Sequence, residues 1–267
     1  MKSTLLVRLG AAVAASLILF PARGEVRQPN SSFNLLVFSK TLLYRHASIT
    51  NGIAAIQKLG TKHHFRVDAT EDAAQFTTTN LAKYKVIVFL STSGDILNEE
   101  QQAAFQTWLR SGGGFVGIHA AIAGKVATAG SWPWYAKLLC TEFHHHPAVT
   151  QATVHVEDAG NPSTAHLPRD WIRTDEWYNF ETSPRGRVRV LASLDETSYQ
   201  GGTMGRDHPV AWCRKFEGGL VWYTALGHTE ASYNEPLFLQ HLLGGIELVA
   251  GRKEASFTPG ADALSKN

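Results

Sequence analysis

Residues Gly112 to Ala121, reading GGGFVGIHAA, narrow the fold of this chain more than any other stretch. A helical segment, Asn98 to Ser111, runs into them. Gly112, Gly113 and Gly114 end that helix, because glycine takes positive φ without strain. Phe115, Val116 and Ile118 follow as a short apolar run without alternation, the pattern of a parallel strand buried on both faces. His119 stands where that run ends, flanked by Gly117, Ala120 and Ala121. Small residues around one titratable side chain suit a tight strand-to-helix turn. Such a turn lifts the side chain above the carboxyl edge of a sheet, where open α/β folds bind ligands. A glycine-rich turn around a hydrogen-bonded core histidine is the alternative these residues leave open.

The flanking segments extend the same pattern. Phe33 to Phe38 reads as a first strand, followed by a loop, Ser39 to Ala47, that carries Lys40, Tyr44, Arg45 and His46. Ser48 is placed to cap a helix over Ile49 to Leu59. Phe65 to Ala69 and Val86 to Leu90 are the next strands. Asn98 caps the helix before the glycines, with Glu99 and Glu100 in its first turn, where the helix dipole favours acids. Apolar strands alternating with helices predict a mostly parallel central sheet covered on both faces, an α/β fold. The strands ending near Ser39, Leu90, Ile118 and Thr224 are expected as parallel neighbours.

Further along, Trp132 to Cys140 has amphipathic spacing, and Gln151 to Glu157 and Arg187 to Leu194 read as strands. Val210 to Cys213 and Leu220 to Thr224 read as two more. Phe238 to Ala250 is the closing helix, with Leu239, Leu242, Leu243, Ile246 and Val249 at helical spacing.

The two ends read differently from the middle. Lys2 and Arg8, an apolar run from Leu9 to Phe20, and small residues at Ala22 and Gly24 predict a signal peptide over residues 1–24. Export to a periplasm, or secretion, is the expected fate, with no integral membrane segment after cleavage. Residues 25–252 are expected as one domain and 253–267 as a polar tail. Net charge is +2, so neither a nucleic-acid nor a membrane-surface partner is indicated. Cys140 and Cys213 lie far apart in sequence and are read as separate buried thiols, although the compartment permits a disulfide.

Several residues carry candidate chemistry. Gly227-His228-Thr229-Glu230 follows a strand, as His119 does. His46, His119 and His228 are therefore expected to gather above one sheet edge, as acid/base groups or as ligands of a divalent metal. Glu176 is the expected acidic partner and Glu230 the alternative. Of His144, His145 and His146, only residues two apart share a face in extended chain, so all three cannot face one ion. Asp175, Glu176, Trp177 and Tyr178 place acids among aromatics, a makeup found both in sugar-binding walls and in packed cores. Trp177 and Tyr178 are the expected sugar platforms. Asp207 and His208 precede a strand, so topology alone assigns them to the opposite edge.

With these residues in view, the chain resembles the ThuA-like (trehalose utilisation) family of the class I glutamine amidotransferase-like superfamily. The resemblance rests on Tyr44-Arg45-His46, Gly114 to Ala120, His146-Pro147, Asp175 to Tyr178, Asp207 to Trp212 and Tyr223 to His228. It spans Phe33 to Arg252 and departs from the family pattern at Asn161, before Pro162, where a histidine is expected. The resemblance implies a flavodoxin-like three-layer sandwich and a small-molecule carbohydrate partner, keto-sugar glycosides included. It also implies substrate-binding roles for Tyr44, His46, His146, Asp207 and His208. Class I amidotransferases carry a cysteine nucleophile at the glycine-rich elbow and a His-Pro-Glu motif later. Here the elbow holds His119, and His228-Thr229-Glu230 is similar to the second motif. An imidazole has no sulfur with which to form the thioester of that reaction, so glutamine hydrolysis is not expected. Two readings remain: an enzyme on carbohydrate using His119, His228 and acidic partners, and a non-catalytic carbohydrate-binding or interaction module on the same fold.

Overall fold

The computed structural model describes residues 32–123 and 132–260. The expected leader over 1–24 and residues 261–267 of the expected tail lie outside the described residues. In chain order the elements are β1 (Asn34–Phe38), α1 (Ile49–His63), β2 (Arg66–Thr70), α2 (Thr78–Leu81), β3 (Val86–Leu90), α3 (Glu99–Arg110) and β4 (Gly114–Ile118). They continue with α4 (Pro133–Leu139), β5 (Phe143–His145), β6 (Thr150–Val156), β7 (Asp170–Asp175) and β8 (Asn179–Phe180). β9 (Arg189–Asp195), β10 (Pro209–Phe216), β11 (Gly219–Thr224) and α5 (Pro236–Ala250) complete them.

Nine strands form one sheet in the order β2-β1-β3-β4-β11-β10-β9-β6-β7, and β5 pairs with β8 in a separate ribbon. The first five of these are parallel, with β1, β3, β4 and β11 as direct neighbours. The last four are antiparallel. Every residue of β3 and of β4 is buried, as expected of strands covered on both faces. Alternate side chains of β4 meet different layers. Phe115 packs on Phe105 of α3 and Tyr135 of α4, while Gly114 lies against Val249 of α5. α1 and α5 pack together, giving the three-layer, flavodoxin-like arrangement.

Local chemistry explains the boundaries. Asn98 accepts from Gln101 N at 3.0 Å, and the Gln101 side chain accepts from Asn98 N at 2.9 Å, a reciprocal cap at the start of α3. The three glycines after α3 act differently from one another. Gly112 alone takes positive φ, at 93°. A Cβ on Gly113 would lie 2.6 Å from the Trp108 ring, and one on Gly114 would lie 2.4 Å from Val249 O. Those two positions are glycine because α3 and α5 approach the backbone closely. Ser48 makes no side-chain cap bond to α1; its Oγ donates to Gly227 O at 3.3 Å and ties the start of α1 to the loop after β11.

The antiparallel half bends back toward the parallel half. In a flat sheet, β7 lies four strand spacings from β11, about 19 Å. Yet Asp175, the last residue of β7, accepts from Gly227 N at 2.9 Å, at the end of β11. Twist and coiling bring the far edge over α5, where the Arg173 guanidinium sits 4.6 Å from the Trp171 ring and 4.8 Å from the Phe238 ring. This closure carries the segment after β7 to the carboxyl edge of the parallel strands. Cys140 and Cys213 are buried free thiols. No helix among the described residues is long and apolar enough to cross a membrane.

Candidate functional site

Four side chains meet above the carboxyl edge of β1, β4 and β11. His46 comes from the loop after β1, His119 from the first residue past β4, and His228 from the loop after β11. Glu176 is the first residue past β7, brought in by the bend of the sheet. His119 Nε2 lies 3.1 Å from His46 Nε2, 3.2 Å from His228 Nδ1 and 3.4 Å from Glu176 Oε2. His228 Nδ1 lies 3.1 Å from the same Glu176 oxygen. Among the described residues, this is the group whose ligand atoms are disposed to hold a metal ion, all within 4.8 Å of one another.

The backbone holds these groups firmly. His119 is fully buried and takes φ of +51°, left-handed for a non-glycine residue, so its orientation is imposed by the turn. Its Nδ1 lies 2.7 Å from Ala225 O, which only accepts. Nδ1 therefore donates there, and Nε2 is the ring atom turned to the other three groups. Asp175, fully buried, organises the opposite side. Its Oδ1 accepts from Glu176 N and His228 N, each at 3.0 Å, and its Oδ2 accepts from Gly227 N and Arg173 Nη2, each at 2.9 Å. One carboxylate thus fixes the backbone beneath both His228 and Glu176.

The electrostatics favour neutral His46 and ionised Glu176. Burial, reinforced by the neighbouring imidazoles of His119 and His228, pushes the His46 pKa down to about 3. Burial alone would raise the Glu176 carboxyl, but the imidazoles of His119 and His228 outweigh it and hold the group well below the ordinary carboxylate range. The outer Glu176 oxygen, Oε1, lies 3.1 Å from His146 Nδ1, and that nitrogen is also 3.0 Å from Pro147 O. Two acceptors at Nδ1 place the proton there and leave His146 Nε2 as the free acceptor.

Above the cluster opens a cavity of about 360 Å³, within the usual range of small-molecule sites. His46, Glu176 and His228 line its floor; Leu43, Tyr44, Phe143, His146 and Tyr178 line its walls, with Ser93, Ala120 and Ala123. Tyr178 packs on His119 with ring centres 4.3 Å apart, and Tyr44 is 66% exposed at the rim. Ser93 Oγ donates to Tyr44 O at 2.9 Å and anchors the rim loop. Larger surface grooves occur elsewhere, such as one beside residues 251–259, but among the described residues they hold no comparable group of ligand atoms.

The expected residues divide into two groups. His46, His119, His228, Glu176, His146, Tyr44 and Tyr178 come together. Trp177 does not: it is buried, and its Nε1 donates to Thr150 O at 2.9 Å. Successive side chains alternate, so Glu176 and Tyr178 face the cavity while Asp175 and Trp177 turn away. Glu230 is exposed at the start of a short 3₁₀ turn and lies outside the cluster, so Glu176 is the acid that joins the histidines.

Asp207 and His208 correct a topological expectation. β10 is antiparallel to β11, so the start of β10 lies at the same edge as the site and not at the opposite one. Neither residue lines the cavity. Asp207 accepts from Arg185 Nε at 2.5 Å. His208 Nε2 donates to Tyr178 O and its Nδ1 bonds Glu196 Oε1, each at 2.8 Å, so it buttresses Tyr178 from behind. His144 and His145 contact each other, Nδ1 to Nδ1 at 3.1 Å, and of the three consecutive histidines only His146 reaches Glu176. Asn161 closes a buried turn, its Oδ1 accepting from Ser163 N and Oγ at 3.0 and 2.8 Å. Ser93 and Phe143 were not singled out in the sequence. The one signal for Phe143 was its place beside the three histidines.

Comparisons with known proteins agree with this architecture. The sequence model of the ThuA family, described as trehalose utilisation, matches residues 34–249. No curated protein matches. Among solved structures, the chain is similar to a ThuA-like protein from Bacteroides uniformis, with TM-score 0.70, 24% identity, and coverage of 90% of this chain and 98% of that one. A ThuA-like protein from Parabacteroides merdae gives TM-score 0.69 and 20% identity, over 86% of this chain and 94% of that one. A cytoplasmic protein from Salmonella typhimurium gives TM-score 0.55 and 9% identity, over 80% and 98%. At these identities the likenesses carry the fold, which is consistent with the amidotransferase-like class, and no residue roles.

Proposed function

The chain belongs to the ThuA family, and from that membership we propose that it is an exported carbohydrate-processing enzyme whose reacting centre is the group of His46, His119, His228 and Glu176. The single observation that carries this reading is the convergence of three imidazole nitrogens and a carboxylate oxygen on the floor of a cavity walled by aromatic rings. Aromatic faces suit the apolar side of a pyranose ring, and Tyr44 and Tyr178 are the platforms the cavity offers. Imidazoles and a carboxylate at its floor meet the oxygen-bearing edge of such a ring.

The chemistry follows from the donor pattern. His146, with Nδ1 hydrogen-bonded to Glu176, presents Nε2 to take a proton from a sugar hydroxyl or from carbon beside a carbonyl. Glutamine hydrolysis is excluded from the proposal, because the elbow holds His119 and burial pushes the Cys213 thiol up to about 12, far from a reactive thiolate. The expected leader supports a periplasmic or secreted location.

The test is to incubate the mature chain, beginning at Glu25, with trehalose, other disaccharides and keto-sugar glycosides, and to follow products by NMR. Turnover of at least one saccharide is expected. Saturable binding without turnover would convert the reading to a carbohydrate-binding module; neither binding nor turnover across the panel would overturn it.

A further inference from the structure

We propose that His46 Nε2, His119 Nε2, His228 Nδ1 and Glu176 Oε2 are the ligands of one divalent first-row transition-metal ion, with zinc as the best-fitting member, and that the ion faces the cavity. The inference deepens the reading of the same site given above. Its first support is geometric. A tetrahedral ion with bonds of about 2.0–2.1 Å holds its ligand atoms about 3.3 Å apart, the edge of the tetrahedron. Four of the separations here are 3.1, 3.2, 3.4 and 3.1 Å, and no pair exceeds 4.8 Å.

The second support is the crowding on one nitrogen. His119 Nδ1 donates to Ala225 O, so Nε2 is the ring's one atom for its other neighbours. A ring nitrogen makes one good hydrogen bond, yet three ligand atoms stand within 3.4 Å of it. Glu176 Oε2 is one of the three, and it is shared with His228 Nδ1. Hydrogen bonds satisfy such a set in part; a single cation at its centre satisfies every lone pair at once. His46 makes no hydrogen bond through Nδ1, so Nε2 carries the polar contact of that ring.

The surroundings are those that metal ligands require. His119 is oriented by its second nitrogen on a carbonyl, the usual device for fixing the tautomer of a ligating histidine. Asp175 fixes the backbone of Glu176 and His228, and His146 holds the outer Glu176 oxygen. The left-handed backbone of His119 is local strain kept at the centre of the group. Three imidazoles with one carboxylate select zinc and its first-row neighbours over calcium and magnesium, which prefer oxygen ligands. His46, Glu176 and His228 line the cavity, so a hydroxyl or carbonyl oxygen of a sugar reaches the ion directly, where it would be polarised.

The test uses the mature chain without a histidine tag, dialysed against EDTA. Zn²⁺, Fe²⁺, Mn²⁺ and Ni²⁺ are then added separately. Bound metal is measured by mass spectrometry after desalting, and unfolding is followed by calorimetry. Retention of about one ion per chain, with a raised Tm, is expected. His119 is buried in strained backbone, so the variants are His228→Ala, at a partly exposed position, and Glu176→Gln. Each should lower metal affinity at least about tenfold and keep a cooperative transition. Retention below about a tenth of an ion per chain for all four metals, with no change in Tm, would overturn the proposal. So would equal retention by the wild type and both variants, which places the ion elsewhere. The metal measurement needs no sugar. Turnover by protein that retains none of the four metals would sink the metal and leave the carbohydrate reading; stoichiometric metal without sugar binding or turnover would do the reverse.

Discussion

Replacing Asp175 by asparagine tests how the site is held. The substitution keeps size and removes one acceptor atom. Asp175 uses both oxygens, each for two bonds: Glu176 N and His228 N on Oδ1, Gly227 N and Arg173 Nη2 on Oδ2. Asparagine can keep one pair. At the other it presents an N–H to two donors, and Arg173, itself buried, loses its 2.9 Å carboxylate partner. Arg173 retains Ser232 Oγ at 2.8 Å and a looser contact to Glu235 at 3.5 Å, so its charge is not wholly abandoned. Removing one partner of a buried pair costs about 3–5 kcal/mol. For a domain of this size each kcal/mol lowers Tm by roughly 2–4 °C. Calorimetry of Asp175→Asn should therefore show a drop of about 6–20 °C. Adding Arg173→Met removes the stranded charge, and the double variant should lose less than the sum of the single changes. A loss below about 1 kcal/mol in Asp175→Asn, or strict additivity in the pair, would refute the claim that this carboxylate anchors the site.

Other consequences are as direct. His241 is buried, and burial pushes its pKa down to about 3. Its folded value lies below the unfolded 6.5, so its contribution is complete above about pH 6.5 and is lost as pH falls toward 3. About 2 kcal/mol should be gone by pH 5, and urea titrations of His241→Gln should show a shallower acid loss than the wild type. In Gly114→Ala the new Cβ would lie 2.4 Å from Val249 O, a backbone atom of α5 that cannot move aside alone, so destabilisation by about 1–3 kcal/mol is expected in denaturant titration. Tyr44 is 66% exposed, so Tyr44→Ala should leave stability within about 0.5 kcal/mol while weakening saccharide binding several-fold in calorimetry.

Much of the parallel half was legible in the sequence, because its strands are short apolar runs punctuated by glycine and capped helices. The histidines at the ends of β1, β4 and β11 could be assigned to one edge from topology alone. The antiparallel half was harder. β7 reads as DWIRTD, and its inward residues, Trp171, Arg173 and Asp175, look like a polar segment until the buried ion pair is seen. The edge assignment of Asp207 and His208 failed because strand direction in that half follows from pairing rather than from apolar content. Trp177 was misplaced for a different reason: composition cannot say which of two adjacent aromatics faces the cavity, whereas alternation from Glu176 to Tyr178 can. Asp175 carried no sequence signal of its role, since its four partners include three backbone amides from residues 176, 227 and 228.

If the His46, His119, His228 and Glu176 group is the reacting centre, His228→Ala should lose activity while keeping its fold. The measurement is kcat/KM on the saccharide the mature chain turns over best, wild type against His228→Ala, with unfolding curves recorded on both proteins. A fall of about 10²- to 10⁴-fold is expected, with the cooperative transition retained. Equal kcat/KM in the two proteins would contradict it.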